Sequence, residues 1–220
     1  MKLNTYIDHT LLKPIATKQD IIKLCQEAIT HQFFSVCVNS SYVKLASKQL
    51  QKTEVKVCAV IGFPLGAMST KAKIFEAQQA LKDGANEIDM VLNIGALKSK
   101  SYKKVTKDIQ KVKQLMSKKV LKVILETCFL SDEEISIASK LAIAAGADFI
   151  KTSTGFGTAG ATLPHVKLML SLAENKAKVK ASGGIRDTET AQKYIKLGVS
   201  RLGTSSGIAI VTGAISNENY

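Results

Sequence analysis

Tryptophan is absent, and aromatic residues make up only 5% of the 220 residues. Arginine is nearly absent too: of 31 basic residues only Arg186 and Arg201 are arginine, the rest lysine. Nucleic-acid readers rely on guanidinium forks and, for single strands, on aromatic platforms. The net charge of +13 is therefore read as a solvated lysine surface and not as a nucleic-acid site. The four cysteines (Cys25, Cys37, Cys58 and Cys128) show no CxxC spacing and lie in apolar surroundings, which predicts reduced, buried thiols in a cytoplasmic protein. His9, His31 and His165 form no HxH or HxxxH pair, so no metal site is proposed. No apolar run approaches the roughly 18 residues of a membrane span. The longest uncharged stretch, Leu202 to Asn217, is broken by Gly203, Gly207 and Gly213. Asp8 and Pro14 interrupt the start of the chain before a hydrophobic run can grow, so no signal peptide is expected.

What is present is 45% hydrophobic and 22% charged, enough for one globular core. Short β-rich runs recur at Tyr6–Asp8, Phe34–Val38, Val55–Ile61, Glu87–Leu92, Val120–Leu125, Phe149–Thr152, Val179–Ser182 and Arg201–Gly203. Amphipathic segments such as Lys18–Gln32, Ser69–Asp83, Ser131–Ala145 and Thr188–Leu197 lie between them. Several end in a glycine that suits a left-handed helix cap, as at Gly84, Gly146 and Gly198. Alternating strands and helices imply a parallel sheet with right-handed crossovers. Eight units predict a single (β/α)8 barrel over residues 1–220 with a short polar tail from about 214; the alternative is a doubly wound open sheet. The densest basic stretch, Lys98–Lys122, carries Val105, Ile109, Val112 and Met116 at helical spacing and reads as an amphipathic helix with a lysine-rich outer face.

Strands of a parallel barrel are covered on both faces and should be apolar throughout. Three are not: Asp89 lies within strand four, Lys151 ends strand six ahead of a hydroxyl-rich loop, and Lys180 precedes Gly183-Gly184 in strand seven. Lys178, on the same face as Lys180, is expected to be exposed at the strand start. Two lysines and an aspartate converging on the end of a barrel where active sites lie point to amine catalysis. A lysine attacks a carbonyl only as the free amine, and an ordinary lysine of pKa ~10.4 is almost wholly protonated at pH 7. A neighbouring ammonium and a dry pocket lower that value. Asp89 would hold the second charge and relay protons. The loops Ser182-Gly183-Gly184-Ile185 and Gly203-Thr204-Ser205-Ser206-Gly207 follow strands seven and eight, where barrels often cradle phosphate with backbone N–H groups.

These motifs, with Ile7-Asp8-His9-Thr10, Val36-Cys37-Val38-Asn39 and Ile61-Gly62-Phe63-Pro64, resemble those of the deoxyribose-phosphate aldolase family over essentially the whole chain. The resemblance implies a metal-free and cofactor-free class I aldolase that splits 2-deoxy-D-ribose 5-phosphate into D-glyceraldehyde 3-phosphate and acetaldehyde, often as a homodimer or higher homo-oligomer. It implies Lys151 as the Schiff-base lysine and Asp89 and Lys180 as proton donor and acceptor. Gly183, Gly184, Ser205 and Ser206 would hold phosphate, and Thr154 would contact the sugar chain. Asp8 and Cys37, placed at strand ends facing the same mouth, would support the site and pack it, respectively. A C-terminal tyrosine assists proton transfer in some members, which makes Tyr220 an accessory candidate beside the simpler reading of a frayed terminus. The nearest rival is another Schiff-base phosphosugar aldolase. A basic nucleic-acid-binding protein is a distant third, because it leaves the strand lysines unexplained.

Overall fold

In the computed structural model, which describes residues 2–214, eight parallel strands close into a barrel in sequence order. They are β1 (Ile7–Leu11), β2 (Ser35–Asn39), β3 (Lys56–Ile61), β4 (Glu87–Val91), β5 (Val120–Ile124), β6 (Phe149–Lys151), β7 (Lys178–Ser182) and β8 (Arg201–Thr204). Closure excludes the open sheet: β1 pairs with β8 through Ile7↔Leu202, Asp8↔Gly203 and His9↔Thr204. The nine α-helices of the described residues are α1 (Lys18–Thr30), α2 (Val43–Gln49), α3 (Thr70–Lys82), α4 (Ile94–Lys98), α5 (Tyr102–Lys113), α6 (Asp132–Ala144), α7 (Leu163–Ala173), α8 (Thr188–Leu197) and α9 (Gly207–Thr212). Their starts are written locally. Thr17 with Asp20 and Ser131 with Glu134 form reciprocal capping boxes at α1 and α6, and Ser69, Asn93, Thr162 and Asp187 cap α3, α4, α7 and α8.

Period-two alternation divides the strand residues between two environments. The outward set, including Val36, Val57, Ala59, Ile88, Met90, Leu121, Val123, Ile150, Val179 and Leu202, joins the helices in the main hydrophobic core. The inward set mixes charged side chains with Ser35, Val91, Ile124 and Phe149, and a small apolar group of Leu12, Cys37, Cys58 and Val60 packs with Phe63. Barrel interiors are ordinarily layers of branched apolar side chains, so this interior departs from the usual packing.

Two expectations need correction. The Lys98–Lys122 stretch is not one helix: α5 ends at Lys113, Met116 is buried beyond it, and Lys122 lies within β5. Lys103, Lys104, Lys107 and Lys111 do face solvent over buried Val105, Ile109 and Val112, but Lys122 is fully buried inside the barrel. In addition, β1 runs on to Leu11. Asp8 is therefore its second residue and sits in the barrel interior, below the mouth. Tyr220 lies outside the described residues.

Candidate active site

Seven charged side chains from six strands meet inside the barrel: Asp8, Glu87, Asp89, Lys122, Lys151, Lys180 and Arg201, none more than 4% exposed. Asp89 is the hub. Its Oδ2 accepts from both Lys151 Nζ and Lys180 Nζ at 2.8 Å, so a single carboxylate oxygen bridges the two lysines. Its Oδ1 accepts from Lys122 Nζ at 2.7 Å and from the Cys58 thiol at 3.1 Å. Lys180 also donates to Asp8 Oδ2 at 2.5 Å, and Asp8 Oδ1 accepts from Arg201 at 2.7 Å and from Ser35 Oγ at 2.6 Å. Lys122 and Arg201 share Glu87 at 2.6 and 3.3 Å, and the Arg201 guanidinium lies 3.3 Å over the Phe34 ring.

Burial alone would raise the carboxyl pKa values of Asp8 and Asp89. The surrounding cations overcome it: Lys180, Arg201 and Lys122 hold Asp8 well below the carboxylate range, and Lys122, Lys151 and Lys180 do the same for Asp89. Burial likewise opposes the charge on Lys180, yet Asp8 and Asp89 hold its ammonium pKa well above the ordinary value. Two carboxylates on one ammonium thus favour the charged form of Lys180.

Cys37 is the third residue of β2, inside the barrel and not at a strand end. A hydrogen-bond interaction with Cys58 lowers its thiol pKa against the effect of burial, with help from Lys180 and Lys151, so it belongs to the electrostatic cluster as well as to the packing. Cys37, Cys58 and Asp89 bring three ligand atoms within 4.8 Å of one another. With Asp89 already accepting from three ammonium groups, a divalent cation there would meet crowded positive charge, and these residues fit a metal poorly. All four cysteines are free thiols, with Cys128 only half-buried.

The two glycine- and serine-containing loops lie side by side, because β7 and β8 pair through Ser182↔Gly203. Gly183 and Gly184 both have left-handed backbones, at φ +83° and +79°. A Cβ on Gly183 would come within 2.8 Å of the Gly160 backbone. The Thr204 hydroxyl ties the loops together, donating to Ile185 O at 2.7 Å and accepting from Ser206 N at 2.9 Å. Ser205 is half-buried and Ser206 buried. Thr154 is buried, three residues past Lys151, and bonds to Glu126. Lys178 is exposed, as expected.

A model of the DeoC/LacD family aldolases matches residues 3–216. The chain belongs to the DeoC/LacD aldolase family. This aldolase is 58% identical over 213 residues to deoxyribose-phosphate aldolase of Finegoldia magna, covering 97% of this chain and 100% of that one. It is 55% identical over 222 residues to the Thermococcus gammatolerans protein of the same name, with 99% of each chain covered. The tetrameric deoxyribose phosphate aldolase of Aeropyrum pernix superposes with a TM-score of 0.89 at 36% identity, over 96% of this chain and 90% of that one.

Sequence reasoning missed Glu87, Lys122 and Arg201 in this aldolase. The signal was available, since Glu87 shares a face with Asp89 and Lys122 interrupts the run Val120-Leu121-Lys122-Val123-Ile124. Membership of a basic stretch masked Lys122, and both Glu87 and Arg201 open their strands, where charge is unremarkable. Glu126 was missed as well.

Proposed function

We propose that this aldolase reversibly cleaves 2-deoxy-D-ribose 5-phosphate to D-glyceraldehyde 3-phosphate and acetaldehyde through a Schiff base on Lys151. One observation carries the choice of nucleophile. The interior holds four basic side chains (Lys122, Lys151, Lys180 and Arg201) against the three carboxylates Asp8, Glu87 and Asp89. Taking one proton from the cluster leaves three cations against three carboxylates. Lys151 is the member whose only carboxylate partner is an oxygen shared with Lys180. Lys122, Lys180 and Arg201 each engage two or more carboxylates.

As a free amine, Lys151 adds to C1 of the open-chain sugar, and loss of water gives an iminium. Removal of the C3 hydroxyl proton lets the C2–C3 bond break. Its electron pair flows to the iminium nitrogen, leaving an enamine and releasing the three-carbon aldehyde phosphate. Protonation of the enamine at C2 and addition of water then release acetaldehyde and the free lysine. Asp89 and Lys180, with water, move these protons. Lys180 remains cationic throughout. Phosphate is held by the backbone at Gly183 and Gly184 with Ser205 and Ser206, and Thr154 contacts the sugar chain. Asp8 positions Lys180.

The proposal extends to self-association, supported by the tetrameric relative and by exposed Ile15, Leu65 and Phe75. It also includes action in the cytoplasm on a soluble phosphosugar. Among the described residues no helix is long and apolar enough to cross a membrane.

Borohydride reduction in the presence of acetaldehyde or deoxyribose 5-phosphate, read by peptide mass spectrometry, tests the proposal. The expected result is a reduced adduct on Lys151 that disappears in Lys151→Arg. An adduct confined to Lys180 or Lys122 would overturn the assignment, and labelling only by phosphosugars of other lengths would overturn the substrate.

A further inference from the structure

Glu126 follows β5 at the mouth of the barrel with a left-handed backbone, φ +57° and ψ +65°. A non-glycine residue rarely adopts this region, and such strain concentrates at functional sites. Its side chain is only 2% exposed, yet among the described residues no lysine, arginine or histidine lies within 4.0 Å of its carboxylate. A buried carboxylate without a cation is costly unless hydrogen bonds take its place. Here the short ones all come from one residue: both Oε atoms accept from the Thr154 amide, at 3.2 and 3.3 Å, and Oε2 also accepts from the Thr154 hydroxyl. The Cys128 thiol lies more distantly, 3.8 Å from Oε1. Gly157 seals the arrangement, since a Cβ there would come within 2.6 Å of Cys128 Sγ and 3.2 Å of Glu126 Cδ.

A threonine hydroxyl has one proton to donate and two lone pairs. The proton of Thr154 goes to Glu126, and one lone pair accepts from Phe156 N at 3.0 Å. What remains is a single lone pair, which can only accept. We infer that Glu126 is a positioning residue that fixes Thr154 as a hydrogen-bond acceptor, so that the site reads a substrate hydroxyl as a donor and discriminates against phosphosugar chains lacking it. The inference rests on the aldolase reading above. In that chemistry the hydroxyl is the one beside the aldehyde carbon of the three-carbon fragment, which is the C4 hydroxyl of the intact sugar.

Two substitutions separate this role from simple support of the loop. Glu126→Asp keeps the charge and is tolerated in the left-handed region, but it is too short to reach Thr154. Glu126→Gln loses the charge but keeps an oxygen where Thr154 donates. Condensation of acetaldehyde would be measured with D-glyceraldehyde 3-phosphate and with 3-oxopropyl phosphate, which lacks the hydroxyl. Exchange of acetaldehyde methyl protons in D2O reports on Lys151 without any acceptor. The expected result for Glu126→Asp is a loss of about tenfold or more in kcat/KM with the hydroxylated acceptor. Activity with the deoxy acceptor and the exchange rate should both stay within about twofold, while Glu126→Gln retains most of the preference. Unchanged preference in Glu126→Asp overturns the inference, as does a parallel fall in all three measurements. If the unaltered protein fails to cleave deoxyribose 5-phosphate, the functional reading falls and this assignment with it, an outcome visible before any substitution is made.

Discussion

Asp89 accepts from three ammonium groups while Asp8 takes a lysine, an arginine and a serine, so at the scale of single residues acid stability is concentrated in two side chains. Both carboxyls are held well below their unfolded value of ~3.9. In acid the unfolded chain therefore takes up protons that the folded chain refuses. Their contribution is complete above about pH 4 and is lost as pH falls from there towards the folded-state values. Lys122 and Lys180 have the opposite sign. Their ammonium pKa values are held above the ordinary one, so their contribution is complete below ~10.4 and fails only at higher pH. These four groups should thus contribute a flat term to stability from about pH 5 to 9, with a steep loss below pH 4. Urea midpoints measured across that range would check this, and Asp8→Asn should flatten the acid limb. A midpoint falling steadily from pH 7 to 5 would contradict it.

Among the elements, α3, β4 and α5 are joined by one buried side chain. Lys73 on α3 is fully buried and donates to Val91 O at 2.9 Å and to Asp108 on α5 at 2.6 Å. Neither residue stood out in the sequence, because each occupies a helix where charge is ordinary; the packing of the helices decided that they face inward. Lys73→Met should cost roughly 3–5 kcal/mol by leaving Asp108 buried and unpaired, whereas Lys73→Met with Asp108→Leu should recover most of the loss. A double-mutant cycle in urea would read the difference. Near-additive losses would show that the pair is not coupled. The elements themselves were largely legible. All eight strands lie where alternation and glycine caps placed them, because capping and period-two patterning are local. The largest discrepancy is β1, which was ended at Asp8 and runs on to Leu11, its end hidden by His9 and Thr10, which are polar yet buried.

For the whole molecule, the +13 charge sits largely on exposed lysines such as Lys103, Lys104, Lys107 and Lys111, while the interior is close to balanced. A net positive surface raises the encounter rate of a dianionic phosphosugar, and salt screens it. Between low salt and about 0.5 M, kcat/KM for deoxyribose 5-phosphate should fall by roughly threefold to tenfold, while that for unphosphorylated deoxyribose stays level. Equal salt dependence of the two substrates would remove any steering role for the surface.

The sequence by itself determined the strand and helix order, the caps, the family and the lysine pair, since each is written in residues close together along the chain. Only the tertiary structure decided what those charges do to one another. Closing the barrel brought Asp8 of β1, Glu87 and Asp89 of β4, Lys122 of β5 and Arg201 of β8 to the same interior as Lys151 and Lys180. Pairing of the neighbouring strands β5 and β6 set Glu126 against Thr154. Coulomb attraction and hydrogen bonding depend on distance through space, and the distances between strands far apart in sequence are fixed only when the sheet meets itself.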